Sequence, residues 1–206
     1  EVRDTKRGED TRARINVLSE IADEWIAFVD KWIERDVPDR SDALQILQTL
    51  IGSWPIDAMI NNEYRGRLRQ FAEKAMREGK RRSNWKSPDA DYERSIFDWC
   101  TSLLGDPAFV LDFQAIERRT SWYGMLNGLS QVVLKLGAPG VPDIYQGSEL
   151  WNLSLVDPDN RRPVDYTLRQ SFLAAADLND MKRDWRSGRI KFELSRRLLH
   201  LRNRMQ

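Results

Sequence analysis

The chain has 206 residues, with 33 Lys and Arg against 32 Asp and Glu, so its formal net charge is +1. That balance gives no general electrostatic reason to bind nucleic acid or an anionic membrane surface. A hydrophobic fraction of 41% suits a globular chain with room for one sizeable core or two small ones.

The first helix is expected over about 5–34, where Ile15, Leu18, Ile21, Ala22, Trp25, Ile26, Val29, Trp32 and Ile33 recur at three- and four-residue steps. Pro38 breaks the pattern, and Ser41 is the expected N-cap of a second helix over about 42–51. A third is expected over about 63–78, followed by the basic linker KRRSNWKSPD, and a fourth over about 90–104. A fifth begins at Pro107, a residue suited to a first helical turn, and a sixth covers about 122–136.

The texture then changes. In GAPGVPDIYQGSELW, Val141, Ile144 and Tyr145 between Gly and Pro point to a short strand. The polar loop NLSLVDPDNRRPVDY follows, and two helices over about 168–178 and 190–203 close the chain. The fold class is therefore mainly α with one or two short strands. A lone strand cannot pair with itself, and each unpaired buried backbone group costs on the order of 1 kcal/mol or more. A partner sheet is expected elsewhere. The chain opens without Met and stops inside a helical pattern, which reads as a piece of a longer protein.

Few residue types offer catalytic chemistry. Cys100, the one cysteine, sits in an apolar-periodic run and reads as a small buried hydrophobe. The one histidine, His200, lies near a helix C-terminus, where an imidazolium complements the dipole. Ser–His–Asp and Cys–His catalysis are not expected, nor are a metal cluster or a Gly-rich phosphate loop. No apolar run approaches the roughly 18 residues of a membrane span and no signal peptide is visible, so a cytoplasmic location is expected. RGRLRQ and GKRRSNWK are basic but carry no nucleic-acid motif.

Two polar clusters remain. DTKRGED, residues 4–10, reads either as a capped helix start, with Glu9 and Asp10 in the first turn, or as the edge of a site. YQGSELW with DPDNRRP reads either as a turn-rich loop, with Asp157, Asp159 and Asn160 bonding backbone and Arg161 or Arg162 paired, or as an active-site rim. The second option has weight because residues after a barrel strand line the site in parallel barrels. Spacing alone leaves both readings open. In the polar loop RSNWKSP, Trp85 is the best candidate among Trp54, Trp85 and Trp99 for facing a ligand.

GAPGVPDIYQGSELWNLSLVDPDNRRPVDY resembles the eighth-strand region of the maltooligosyltrehalose synthase family, within the α-amylase superfamily. DTKRGEDTRARINVLSEIADEW resembles the segment after that family's seventh strand, and WYGMLNGLSQVVLKL and GRIKFELSRRLLHLR also fit. The resemblance covers nearly the whole chain. It implies a helical fragment of a (β/α)8-barrel enzyme: a post-strand-seven loop and helix (1–36), a helical insertion (37–120), a helix with the eighth strand and substrate loop (121–166), and C-terminal helices (167–206).

The implied activity is an intramolecular transglycosylation. It turns the reducing-end α-1,4 linkage of a maltooligosaccharide into an α,α-1,1 linkage, without cofactor or metal. Two of the three carboxylates that such a retaining site needs belong to earlier strands. The third matches Asp4, as transition-state stabiliser, although Arg3 precedes it where the family has His. Lys6 by the same match would hold the acceptor glucose. Arg7, Tyr145, Gln146, Glu149, Asp159, Arg161 and Arg162 complete the implied substrate contacts, beside Trp85. The implied partners are a maltooligosaccharide and the missing barrel portion, and the chain alone should be inactive. The alternative is an isolated oligosaccharide-binding or structural helical module.

Overall fold

The computed structural model describes residues 7–33, 37–155, 157–174 and 177–205. Their regular structure is helical: α1 (Glu9–Asn16), a 3-10 turn (Val17–Ile21), α2 (Ala22–Ile33), α3 (Arg40–Ser53), α4 (Asn62–Gly79), α5 (Ala90–Gly105) and α6 (Pro107–Gly137). Then come a 3-10 turn (Asp159–Arg161), α7 (Tyr166–Ser171), α8 (Leu178–Arg183), a 3-10 turn (Trp185–Ser187) and α9 (Arg189–Met205). The mainly α expectation holds.

The expected strand at Val141, Ile144 and Tyr145 does not form, and no described residue lies in a strand. A strand needs a neighbour to complete its hydrogen bonds, and Pro139 and Pro142 each lack an N–H to offer one. The expected first helix is divided by the 3-10 turn Val17–Ile21. The expected fifth and sixth helices are one helix of 31 residues. Between them the chain has no Pro, and Thr120 turns its Oγ1 back to the carbonyl of Glu117 at 3.0 Å, so the polar junction is satisfied within the helix. Asp39, not Ser41, caps α3: its Oδ1 accepts from the N–H groups of Ser41 and Asp42 at 2.9 and 3.1 Å. The polar loop is also less irregular than expected, since it holds the 3-10 turn Asp159–Arg161.

The chain divides into two compact units, residues 14–124 and residues 1–13 with 125–206. The 14–124 unit has an aromatic core. Trp32 meets Phe109 edge to face at 5.2 Å between ring centroids, and Trp54 lies 4.5 Å from Phe113. Leu47, Leu50, Ile51 and Ile96 are fully buried around them. Cys100 is buried too, and burial pushes its thiol up to about 12, the inert hydrophobe expected. Arg14, also buried, donates from Nη1 to the carbonyl of Trp54 at 2.8 Å and closes the end of α3. Gly124 allows that approach, because a Cβ there would lie 2.6 Å from Arg14 Cγ and 2.8 Å from its Cα.

Candidate functional site

The other unit is organised around a segment, residues 146–165, whose described residues are mostly irregular and join no ladder. Side chains support it instead. Asp10, in the first turn of α1, accepts from the backbone N–H of Asn152 at 2.8 Å. The Lys191 ammonium of α9 donates to both Asp10 oxygens, at 3.0 and 2.8 Å, and lies 5.5 Å from the centroid of the Trp151 ring. Both partners are buried. Beside them Lys135 pairs with Glu9 at 3.0 Å.

The backbone of α1's approach also joins the segment: Gly8 N–H donates to the carbonyl of Ser154 at 2.9 Å. Gly8 eases that approach, since a Cβ would stand 3.1 Å from the Asn152 carbonyl oxygen and 3.2 Å from that of Ser154. The far end is tied in the same manner. Asp159 Oδ2 accepts from Leu155 N–H at 2.7 Å, and Arg169 donates to Glu149 and to the carbonyl of Gly147, each at 3.0 Å. Asp165 caps α7 through Leu168 N–H at 2.8 Å.

This framework borders an open polar cavity of about 280 Å³ whose lining includes Gln146, Asn152, Asp159, Asn160, Arg162 and Asp165. Its two guanidiniums carry their own counter-charges. Arg162 Nε stands 3.3 Å from Asp159 Oδ1, and Arg169, which also lines the cavity, is paired with Glu149. A neutral, hydroxyl-rich ligand suits such a lining better than an anion, which would have to compete with those carboxylates.

Of the residues expected at a site, Gln146, Asp159 and Arg162 line this cavity. Tyr145 borders it, its Oη accepting from Asn160 Nδ2 at 3.4 Å. Glu149 acts through Arg169. Arg161 is exposed, pairs with Asp157 at 2.5 Å and is not part of the lining. Arg7 is half-buried, and burial lowers its pKa. Asp4 and Lys6 lie outside the described residues. Of the pairings expected of a turn-rich loop, Asp159 does meet backbone, at Leu155 N–H, and Arg161 and Arg162 are each paired, whereas Asn160 bonds the Tyr145 side chain and no described backbone group.

Trp85 belongs to the 14–124 unit. Its indole is 55% exposed, whereas Trp54 and Trp99 are core. The Trp85 ring lies 5.0 Å from the Arg77 guanidinium, which Glu93 holds with two hydrogen bonds of 2.8 Å. The guanidinium in turn holds the Glu93 carboxyl below the usual range, against the opposing effect of its burial.

Sequence reasoning missed Asn152, Asn160, Asp165 and Arg169 as lining residues, and Asp10 and Lys191 as their support. Asn160 stands inside the DPDNRRP motif and could have been found there. Lys191 carries no local signal, since its partner is 181 residues away. Among the described residues no group of His, Cys, Asp and Glu could hold a metal ion. No described helix is long and apolar enough to cross a membrane.

No family model matches the chain. Two curated relatives, from the Mycobacterium tuberculosis strains CDC 1551 and H37Rv, carry the name maltooligosyl trehalose synthase. Each is 40% identical over 173 residues, 84% of this chain and 22% of the relative. A solved maltooligosyl trehalose synthase superposes with a TM-score of 0.89 at 32% identity, over 97% of this chain and 28% of that one. The Arthrobacter ramosus maltooligosyltrehalose synthase gives 0.83 at 34%, over 97% of this chain and 26% of that one. A Sulfolobus tokodaii structure titled as a hypothetical synthase gives 0.83 at 33%, over 98% and 27%. The chain thus spans about a quarter of the length of the proteins it matches.

Proposed function

The chain belongs with the maltooligosyl trehalose synthases, as a segment of about a quarter of their length, and we propose that it supplies one wall of a maltooligosaccharide site. The reaction is that of a (1→4)-α-D-glucan 1-α-D-glucosylmutase: the reducing-end glucose is released from its α-1,4 linkage, turned within the site and rejoined α,α-1,1. The observation that supports this reading is the cavity, which gathers Gln146, Asp159 and Arg162 in a polar lining whose guanidiniums are already paired.

In this reading the 146–165 segment holds the sugar, and its buried ties keep the lining fixed while the glucose reorients. The glucose must turn without leaving, and water must be kept from the intermediate, or hydrolysis replaces transfer. Asp4 stabilises the developing positive charge and Lys6 holds the acceptor. The nucleophile and the general acid lie on the part of the barrel that the relatives have beyond this segment. Residues 37–120 form the insertion over the barrel mouth, where Trp85 stacks on the glucan, and 1–36, 121–166 and 167–206 are the flanking pieces. Work in the cytoplasm, on a sugar and on neither nucleic acid nor membrane, completes the proposal.

The test is incubation of the chain with maltopentaose, following loss of reducing ends and release of glucose. Neither should change, because one carboxylate of three cannot run a double displacement. Loss of reducing ends without glucose would show a complete site within these 206 residues and overturn this division of roles.

A further inference from the structure

Asn160 is buried, lines the cavity, and leaves its Oδ1 without a hydrogen-bond partner among the described residues. A buried acceptor in that state loses its hydration with nothing in return, so it marks a place where a donor is meant to arrive. The other half of the amide is engaged, since Nδ2 donates to Tyr145 Oη. Across the same lining the Asn152 amide is oriented in the opposite sense. Its Oδ1 accepts from Ser154 N–H at 3.0 Å and also from the Ser154 hydroxyl, while Nδ2 lies towards Gly147, another lining residue. Between them, among the described residues, these two amides therefore leave an unpartnered acceptor and an unpartnered donor, both neutral, beside guanidiniums already matched by carboxylates.

We propose that Asn160 is a specificity-determining residue of this cavity, its Oδ1 accepting a hydrogen bond from a sugar hydroxyl while Asn152 Nδ2 donates to another. A hydroxyl can both give and receive, so a neutral polyol satisfies the two amides together, whereas a carboxylate has no proton for Asn160 and a phosphate brings its negative charge against the lining carboxylates Asp159 and Asp165. The inference rests on the oligosaccharide reading above and deepens it. It assigns recognition to an amide pair, with Asp159 and Arg162 as the frame that holds the loop rather than as the groups that read the ligand.

The experiment is NMR titration of the 15N-labelled chain with maltopentaose and, separately, with inorganic phosphate, following the Asn160 and Asn152 side-chain amides and the Trp151 indole. Maltopentaose should shift them saturably, with a dissociation constant of about 1 mM, the order expected for a few hydrogen bonds on an open site, and phosphate should not. Asn160→Ala should weaken binding by about tenfold or more, and Asn160→Asp, which keeps the acceptor, should stay within a few fold of the parent chain. Circular dichroism establishes that each variant is folded, and the resonances of the unmutated chain locate the site if Asn160→Ala is not.

Equal affinity of Asn160→Ala and the parent chain overturns the proposal, as do phosphate shifts at the same amides. Maltopentaose shifts confined to other residues overturn it and leave the oligosaccharide function standing. No maltopentaose shift anywhere in a folded chain overturns both.

Discussion

Replacing Lys191 by Met strikes the interaction on which the cavity's framework depends. The ammonium makes three contacts, to Asp10 Oδ1 at 3.0 Å, to Oδ2 at 2.8 Å and to the carbonyl of Leu150 at 3.4 Å. The two side chains are 3% and 7% exposed. Opposite charges about 3 Å apart attract by about 5 kcal/mol at an effective dielectric of about 20, before desolvation is subtracted. Met keeps most of the stem volume, so the main loss is electrostatic: an Asp10 carboxylate left buried without its counter-ion, supported only by Asn152 N–H. Breaking such a pair from one side costs about 3–5 kcal/mol, and for a chain of this size each kcal/mol lowers the melting temperature by roughly 2–4 °C. Lys191→Met should therefore melt about 10 °C early, read by urea and thermal unfolding followed through tryptophan fluorescence. The Asp10→Leu, Lys191→Met double variant should recover most of that loss, because no charge is left stranded. A single variant within about 0.5 kcal/mol of the parent chain, or a double variant worse than the sum of the singles, would refute the reasoning.

Three further outcomes follow from other parts of the structure. Gly124→Ala should destabilise by about 2 kcal/mol in urea, because its Cβ meets the Arg14 backbone and overpacking outweighs the gain of about 1 kcal/mol in helix propensity; an unchanged or raised midpoint would show that α1 can move aside. Arg196 with two 2.8 Å bonds, then Arg197, hold the Glu193 carboxyl down at about 2 despite its burial. A depressed carboxylate contributes stability above its unfolded value of about 4.3 and loses it as pH falls towards 2. Both arginines are more than a third exposed, so the contribution is about 1 kcal/mol. Glu193→Gln should lose that amount at neutral pH and flatten the acid limb of the stability profile; a parallel acid limb would assign the titration to other groups. Trp54→Ala should cost about 3–5 kcal/mol and Trp85→Ala no more than about 0.5, since one indole is fully buried and the other 55% exposed. Equal costs would place Trp85 in the core and remove it as a glucan contact.

What could be read from the sequence was set by the range of the forces involved. Helix existence is local, and the apolar steps of residues 63–78 and 90–104 match α4 and α5 within a residue or so at each end. Where interruption depends on what a polar residue does with its side chain, the pattern misleads. The expected sixth helix begins only at about residue 122, yet Thr120 and Ser121 just before it bond back within α6. Where a residue needs a partner from elsewhere, the pattern is silent: Val141, Ile144 and Tyr145 have strand propensity and no ladder among the described residues. In the site, DPDNRRP announced polar chemistry. Which side chains close on one another and which stay open is decided by Asp159 reaching Leu155 N–H and by Asn160 being left over. That is a result of packing, not of composition.

The two units show two solutions to the same problem of holding backbone in place. Residues 14–124 satisfy most of their peptide groups inside helices, so their core can be aromatic and aliphatic, with Arg14 and Glu93 as buried charges, the first closing a helix end and the second held by Arg77. Residues 146–165 cannot do this, because most of the segment is neither helix nor strand. Its peptide groups must be satisfied by side chains, and a side chain that meets an N–H with a short, strong bond is a carboxylate. Asp10, Asp159 and Asp165 fill that role; the two buried ones each call for a cation, Lys191 for Asp10 and Arg162 for Asp159, while the exposed Asp165 caps the α7 N-terminus. The charges in this unit are thus a consequence of an irregular segment being held rigid. They are largely spent on that task, and the groups left over to meet a ligand include the neutral amides of Asn152 and Asn160.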